Sequence, residues 1–379
     1  MKYVELQQIC YPKQWKTIAA SNLSSSGYPV YGANGIIGYY NEYNHEFPTI
    51  LVTCRGATCG EVNISEPYSY VNGNAMALDN LDESIMDIKF LYYYLKYRGF
   101  SDVISGSAQP QIIRSNIEKI KIPLLEKVQQ RKISELLDMI NLVLQKRQCQ
   151  ITALDELTQS LFLEMFGNPI QNIKKFKQMP IKNVVSDIQT GWSPVASKEP
   201  ATNNEPGVLK LSAVTGGRYN FKENKKLLDG TPFKSEYEVN VGDILLTRKN
   251  TKELVGACSY IFETPSQLMF SDLIFKLNIK NTTLMEPIYL WRLLNNNSMK
   301  KELSALASGS SGSMPNISKK NLNELLVLVP PIELQKEFVN KIISLEKLRN
   351  DFIDSLFSYK KLYNSTLQKA FKGELFQEQ

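Results

Sequence analysis

Apolar positions recur along two stretches of this chain at alternating steps of four and three residues. From Ile133 the steps fall on Ile133, Leu137, Ile140, Leu144, Arg147, Ile151, Leu154, Thr158, Leu161 and Met165, and eight of these ten are apolar. This is a coiled-coil seam of more than four heptads with no proline inside it. Adding 205 to each number gives Phe338, Ile342, Leu345, Arg349, Phe352, Leu356, Tyr359, Tyr363, Thr366 and Ala370, again with eight of ten apolar. The spacing predicts two long helices of ~35–40 residues, roughly 50–60 Å each at 1.5 Å per residue. Two helices of matching length and phase in one chain are most simply paired with each other. Arg147 and Arg349 fall near the middle of each seam. They either snorkel to its edge or fix the register against a carboxylate.

The 205-residue offset extends upstream of the helices. Ser-Gly-Ser-Ala-Gln-Pro-Gln-Ile at 105–112 parallels Ser-Gly-Ser-Met-Pro-Asn-Ile at 311–317. From Pro110 and Pro315 the copies align without a gap. Pro110, Ile112, Asn116, Gln130, Leu157, Ser160 and Phe166 meet Pro315, Ile317, Asn321, Gln335, Leu362, Ser365 and Phe371. The preceding blocks read as mixed α/β. The first has an apolar run from Thr49 to Cys54 and a turn-rich tract from Tyr28 to Tyr39. The second has runs at 207–211, 241–247 and 273–277. Helical patterns from Met86 to Tyr97 and from Pro287 to Leu303 close the two blocks. The predicted layout is a domain over 1–125, a helix over 126–168, a domain over 169–330 and a helix over 331–379.

Composition narrows the chemistry. The chain has 379 residues, 43% of them hydrophobic and 22% charged, which places it among globular proteins. A single His, His45, leaves no two-His zinc site and at most one place for a Ser-His or Cys-His triad. Five scattered Cys fit a reducing compartment, and no apolar run reaches the ~20 residues of a membrane span. With no export-signal pattern at its start, the chain is expected to be soluble and cytoplasmic. None of the 20 Gly is followed by Lys, so a Gly-Lys-Ser/Thr phosphate loop is absent. A dinucleotide fingerprint and the Asn/Asp-Pro-Pro-aromatic box of an amino-methyltransferase are missing too. The net charge of +6 is uneven: 167–330 holds 21 basic and 14 acidic residues, whereas 1–125 holds 10 and 11. A polyanionic partner and a solvated basic face explain that excess equally well. The pattern is that of a chain that binds rather than reacts.

Taken in order, several segments resemble the specificity subunit of type I DNA restriction-modification systems. They are Tyr28-Pro-Val-Tyr-Gly-Ala-Asn-Gly-Ile-Ile-Gly38, Arg55-Gly-Ala-Thr-Cys-Gly60, the two Gly-Ser…Pro-x-Ile junctions, Leu161-Phe-Leu-Glu-Met-Phe-Gly-Asn-Pro169 and Val241-Gly-Asp-Ile-Leu-Leu-Thr-Arg248. The resemblance spans the whole chain. It implies an α+β architecture of two α/β target-recognition domains in a pseudo-two-fold repeat, each followed by a long helix, with the helices in an antiparallel coiled coil. It further implies a non-catalytic subunit that binds a bipartite, asymmetric double-stranded DNA site, one half per domain. The implied partners are two modification subunits that methylate adenine with S-adenosylmethionine, and restriction subunits that use ATP and magnesium. No cofactor is implied for this chain itself. A stand-alone nuclease or methylase, or a scaffold that never touches DNA, are the alternatives.

Candidate DNA contacts are weighed singly. Arg55, in a Gly-flanked turn after a strand, either meets guanine or phosphate or makes a fold-stabilising ion pair; Thr58 shares its turn. Arg248, Lys249 and Asn250 follow a buried-looking strand and form the best base-reading cluster, with a solvated loop as the alternative. Gln109 and Ser313 belong to the Gly-Ser loops, which either meet phosphate or serve as tight turns. Lys210 and Arg218 are phosphate candidates. Tyr92, Tyr93 and Tyr94 read as core, and Cys54 and Cys59 as buried small hydrophobes.

Overall fold

The computed structural model describes residues 2–33, 35–106, 109–202, 205–308 and 314–376. They divide into two compact units, Met1–Cys149 with Phe352–Gln379, and Gln150–Asp351. The division passes through both long helices, Lys127–Phe166 and Ile332–Phe371. It departs in this from the domain-then-helix layout read along the chain, because half of each helix packs into each unit's core.

In the first unit a four-stranded antiparallel sheet runs in the order Tyr11–Gln14, Ala75–Asp79, Ile50–Thr53, Val62–Ile64. A three-stranded sheet holds Tyr28–Gly32 between Gly35–Tyr40, antiparallel to it, and Tyr70–Val71, parallel to it. Lys2–Glu5 pairs with Lys121–Leu124, and Ile104–Ser105 with Gln111–Ile112. The tract from Tyr28 to Tyr39 is thus a hairpin. The helix Ile88–Arg98 starts where Asp87 accepts from Phe90 N at 2.9 Å. Phe90, Leu91 and Leu95 then go inward, together with Tyr93, while Tyr92 and Tyr94 pack at the edge of the same core.

The second unit repeats this topology strand for strand. Its four-stranded sheet runs Val185–Thr190, Ile274–Ile279, Ile244–Thr247, Cys258–Tyr260, all antiparallel. Gly207–Leu209 lies between antiparallel Asn224–Lys226 and parallel Leu268–Met269. Lys177–Pro180 pairs with Leu326–Val329, and Ala307–Ser308 with Asn316–Ile317. The helix expected over 287–303 is two helices, Pro287–Leu294 and Asn297–Ala305. Asn295 caps the first, and the side chain of Asn296 caps the second by accepting from Ser298 N at 2.9 Å.

The long helices are antiparallel partners within each unit. In the first, Ile133 and Leu137 near one helix start share a core with Leu367, Ala370 and Phe371 at the other's end. In the second, Phe162 and Phe166 at the first helix's end pack with Phe338 and Ile342 at the second's start. None of the twenty seam positions is exposed. Arg349 takes the register-fixing option, reaching Asp155 with Nε at 3.0 Å. Arg147 instead lays its guanidinium over the Phe352 ring, 4.4 Å from the centroid.

The repeat identities have structural causes. Gln130 is fully buried; its Oε1 accepts from Asp87 N at 2.8 Å and its Nε2 donates to Ile85 O and Leu125 O. Gln335, equally buried, accepts from Glu286 N at 2.9 Å and donates to Leu284 O and Pro330 O. Each glutamine ties the start of a short helix to the start of a long one. An uncharged amide supplies the two donors and the acceptor that these three bonds use.

Candidate nucleic-acid interface

In each unit the strand at the sheet centre runs into a short turn whose next residues pair with the Pro-x-Ile junction. In the first unit Ile112 N donates to Cys54 O at 3.0 Å and Gly56 N to Pro110 O at 3.2 Å, which puts Arg55 opposite Gln111. In the second, Ile317 N donates to Arg248 O at 2.9 Å and Asn250 N to Pro315 O at 3.3 Å, which puts Lys249 opposite Asn316. Arg55 and Lys249 are therefore the same position in the two copies, each an exposed cation beside an amide side chain. Side chains alternate across an extended backbone, so the inward neighbour of Arg55, Cys54, is fully buried while the cation points out. Neither cation has an acidic partner among the described residues, which removes the ion-pair reading of Arg55.

Glycine is required at two points of this arrangement. Gly106 has φ +84°, and a Cβ there would lie 2.6 Å from the carbonyl oxygen of Gln109. Gly256 has φ +80°, closes the turn by donating to Thr247 O, and leaves no room for a Cβ against Leu303 at 2.8 Å. The tip of the first unit's hairpin joins the same place, where Thr53 Oγ1 donates to Ala33 O at 2.5 Å.

The second unit carries more polar chemistry here. Arg248, Lys249, Asp272, Ser308, Met314 and Asn316 surround a cleft of about 340 Å³. Eight buried side-chain polar atoms among the described residues lack a hydrogen-bond partner, and two of them belong to residues that line it: Arg248 Nε and Asn316 Oδ1. Buried polar groups are nearly always paired in folded proteins, so a donor and an acceptor left open together mark a place for ligand groups. In the first unit the matching positions are Cys54 and Gln111. Burial pushes the Cys54 thiol up, opposed by a hydrogen bond from Gln14 and by the charge of Arg55, so this cysteine stays a neutral filler.

The structure sorts the other candidates. Gln109 is exposed next to the junction. Thr58 is half-buried in the Arg55 turn, its carbonyl accepting from Glu61 N at 3.0 Å. Ser313 lies outside the described residues. Asn250 is only 6% exposed and its Oδ1 accepts from Thr251 N, so of the three-residue cluster Lys249 alone is fully presented. The correction follows from alternation, which turns Asn250 back into the protein. Lys210 is half-buried and 3.7 Å from Glu223. Arg218 is a second correction: it is held by Asp155 at 2.7 Å and by Glu346 at 3.0 Å, against the long helices, and is not presented as a phosphate contact. Gln111 and Asn316 are the functional candidates that reading along the sequence missed. The repeat held their signal, since the x of Pro-x-Ile is an amide in both copies.

Among the described residues no group of three or more His, Cys, Asp or Glu is placed to hold a metal ion. No helix among them is long and apolar enough to cross a membrane.

Comparison with known proteins follows the same lines. The family model described as type I restriction modification DNA specificity domain matches residues 1–153 and 170–356. Over 182 residues the chain is 32% identical to the type I restriction enzyme EcoEI specificity subunit of Escherichia coli, covering 46% of this chain and 30% of that protein. Over 319 residues it is 22% identical to the EcoKI specificity subunit of Escherichia coli strain K12, covering 77% and 67%. The matched stretch thus spans less than a third of the first relative. The fold is similar to that of the S subunit of a type I restriction-modification system from M. genitalium, with a TM-score of 0.68 at 15% identity over 98% of this chain and 96% of that one. A chain from a structural study of complex assembly and conformational transition in the type I R-M system gives a TM-score of 0.54 at 17% identity, over 99% and 98%.

Proposed function

The chain belongs to the type I restriction modification DNA specificity domain family, and from that premise we propose that it selects the DNA sequence on which enzymatic partner subunits act. Each unit reads one half of a split, asymmetric site. The observation that carries this reading is the equivalence of Arg55 beside Gln111 and Lys249 beside Asn316 at one topological position in both copies. A cation meets phosphate or guanine, and an amide meets adenine with a donor and an acceptor together. The residues around that pair differ between copies, Cys54 against Arg248 and Gly56 against Asn250, so the two half-sites differ.

The chain itself is non-catalytic in this proposal. Two modification subunits supply adenine methylation with S-adenosylmethionine and take up the flipped base. Restriction subunits supply cleavage with ATP and magnesium. Methylome sequencing of a host in which residues 167–330 are replaced by the block of a relative is the test. One half of the methylated motif is expected to change while the other stays; change in both halves overturns the two-module reading. Methylation or cleavage by the purified chain alone would overturn the non-catalytic assignment.

A further inference from the structure

A pocket of about 180 Å³ in the second unit lies apart from the cleft at Lys249, where the loop Gly216–Arg218 and the helices Pro287–Leu294 and Asn297–Ala305 meet the first long helix. Its charges do not balance. Arg218, Arg292 and Arg349, with Lys300 on the wall, face two carboxylates, Asp155 and Glu346. Both carboxylates are already engaged. Asp155 accepts from Arg218 Nη2 and Arg349 Nε, and Glu346 from Arg218 and Arg292. Lys300 is exposed on the pocket wall and has no acidic partner among the described residues.

Two polar atoms at the pocket are buried and unpaired, the donor Arg292 Nε and the acceptor Asn295 Oδ1. The Asn295 amide is oriented by its Nδ2, which donates to Cys258 O at 2.6 Å, so the free group is the oxygen. Asn296, the cap of the nine-residue helix Asn297–Ala305, also lines the wall and brings that helix's positive end to the pocket. Burial lowers Arg292 to about 10, against the opposing pull of Glu346, and desolvation lowers Lys300 as well.

We propose that this pocket binds a small protonated oxyanion, hydrogen phosphate, whose charged oxygens accept from Arg292 Nε and Lys300 Nζ and whose hydroxyl donates to Asn295 Oδ1. The anion supplies the missing negative charge, and the pocket holds several times a water's share of ~30 Å³, too little for a nucleotide. The bound anion ties the helix Pro287–Leu294, through Arg292 and its cap Asn295, to the helix Asn297–Ala305, through Lys300. Sulfate has the charge but at neutral pH lacks the hydroxyl, which leaves the Asn295 oxygen unpaired.

Calorimetric titration of the full chain with inorganic phosphate, at ionic strength held constant with chloride, tests this. One phosphate per chain is expected, with sulfate at least fivefold weaker and acetate without effect. Lys300→Gln is expected to weaken phosphate at least tenfold, and Asn295→Asp, which brings a negative charge to the hydroxyl's position, to abolish it. The thermal midpoint in chloride reports whether each variant is folded. No saturable phosphate binding, equal binding of phosphate and sulfate, or a folded Lys300→Gln chain with unchanged affinity would each overturn the assignment.

Discussion

Arg349 and Asp155, 194 positions apart, are joined by an Nε–H···O bond of 3.0 Å between the two long helices. A heptad seam alone tolerates sliding by one repeat, because the same apolar classes return every seven residues. A charged pair at one place in the seam does not, since a slipped register would strip the largely buried Arg349 of its partner and leave Asp155 with Arg218 alone. Asp155 is 36% exposed, so the pair is screened on one side. Asp155→Ala is expected to cost about 1–3 kcal/mol in urea unfolding. The double variant with Arg349→Met should cost less than the sum of the singles, with a coupling of about 0.5–3 kcal/mol. Additive singles would show that the pair does not hold the register.

Removal of either exposed cation should weaken DNA binding in a salt-dependent way. Arg55→Ala and Lys249→Ala are each expected to lower the slope of log K against log salt by about one, as for one lost phosphate contact. Both side chains are exposed, so neither substitution should move the unfolding midpoint by more than about 0.5 kcal/mol. Titration of the assembled complex with its DNA at several salt concentrations provides the measurement. An unchanged slope in one variant would place that cation off the DNA.

The amides opposite them should behave differently. Asn316→Ala and Gln111→Ala are expected to relax discrimination at one base of their own half-site, by about 1–3 kcal/mol, while the salt slope stays as it was. Competition binding with single-base variants of the methylated motif would show it. Loss of affinity for every sequence alike would assign the amides to the backbone instead.

Acid should loosen one surface loop of the second unit before the rest. Glu205 is held down to about 2 by hydrogen bonds from the Lys226 ammonium and from Thr202, against an ordinary 4.5. A depressed carboxyl stabilises above its unfolded pKa and loses that contribution as pH falls through the folded one. The window is therefore from about 4.5 down to about 2. Amide exchange at Thr202, whose N–H donates to Glu205 at 2.9 Å, should accelerate across it. In Glu205→Gln the exchange should be fast and flat over the same range.

The two long helices were legible because their signal is local and repeated: every seam position named from the four-three spacing avoids solvent. The second domain's helical tract was legible as helix but not as two. The break at Asn295 and Asn296 depends on capping bonds that compete with a continuing helix, and a run of asparagines does not state which side wins. At the interface, Arg55 and Lys249 could be singled out as cations after strands. That they occupy one position required the pairing of each turn with a junction more than fifty residues away.

The sequence by itself determined the repeat, the helices, their seam and the glycine-framed junctions. Each of these follows from periodicity or backbone conformation, which act within a few residues. The tertiary structure decided the partners. It turned Arg218 from an apparent phosphate contact into a ligand of Glu346, 128 residues on, and buried Asn250 while presenting Lys249. Which charge meets which, and which face of an extended segment sees solvent, depends on where distant segments of the chain come to rest. No local pattern encodes that path.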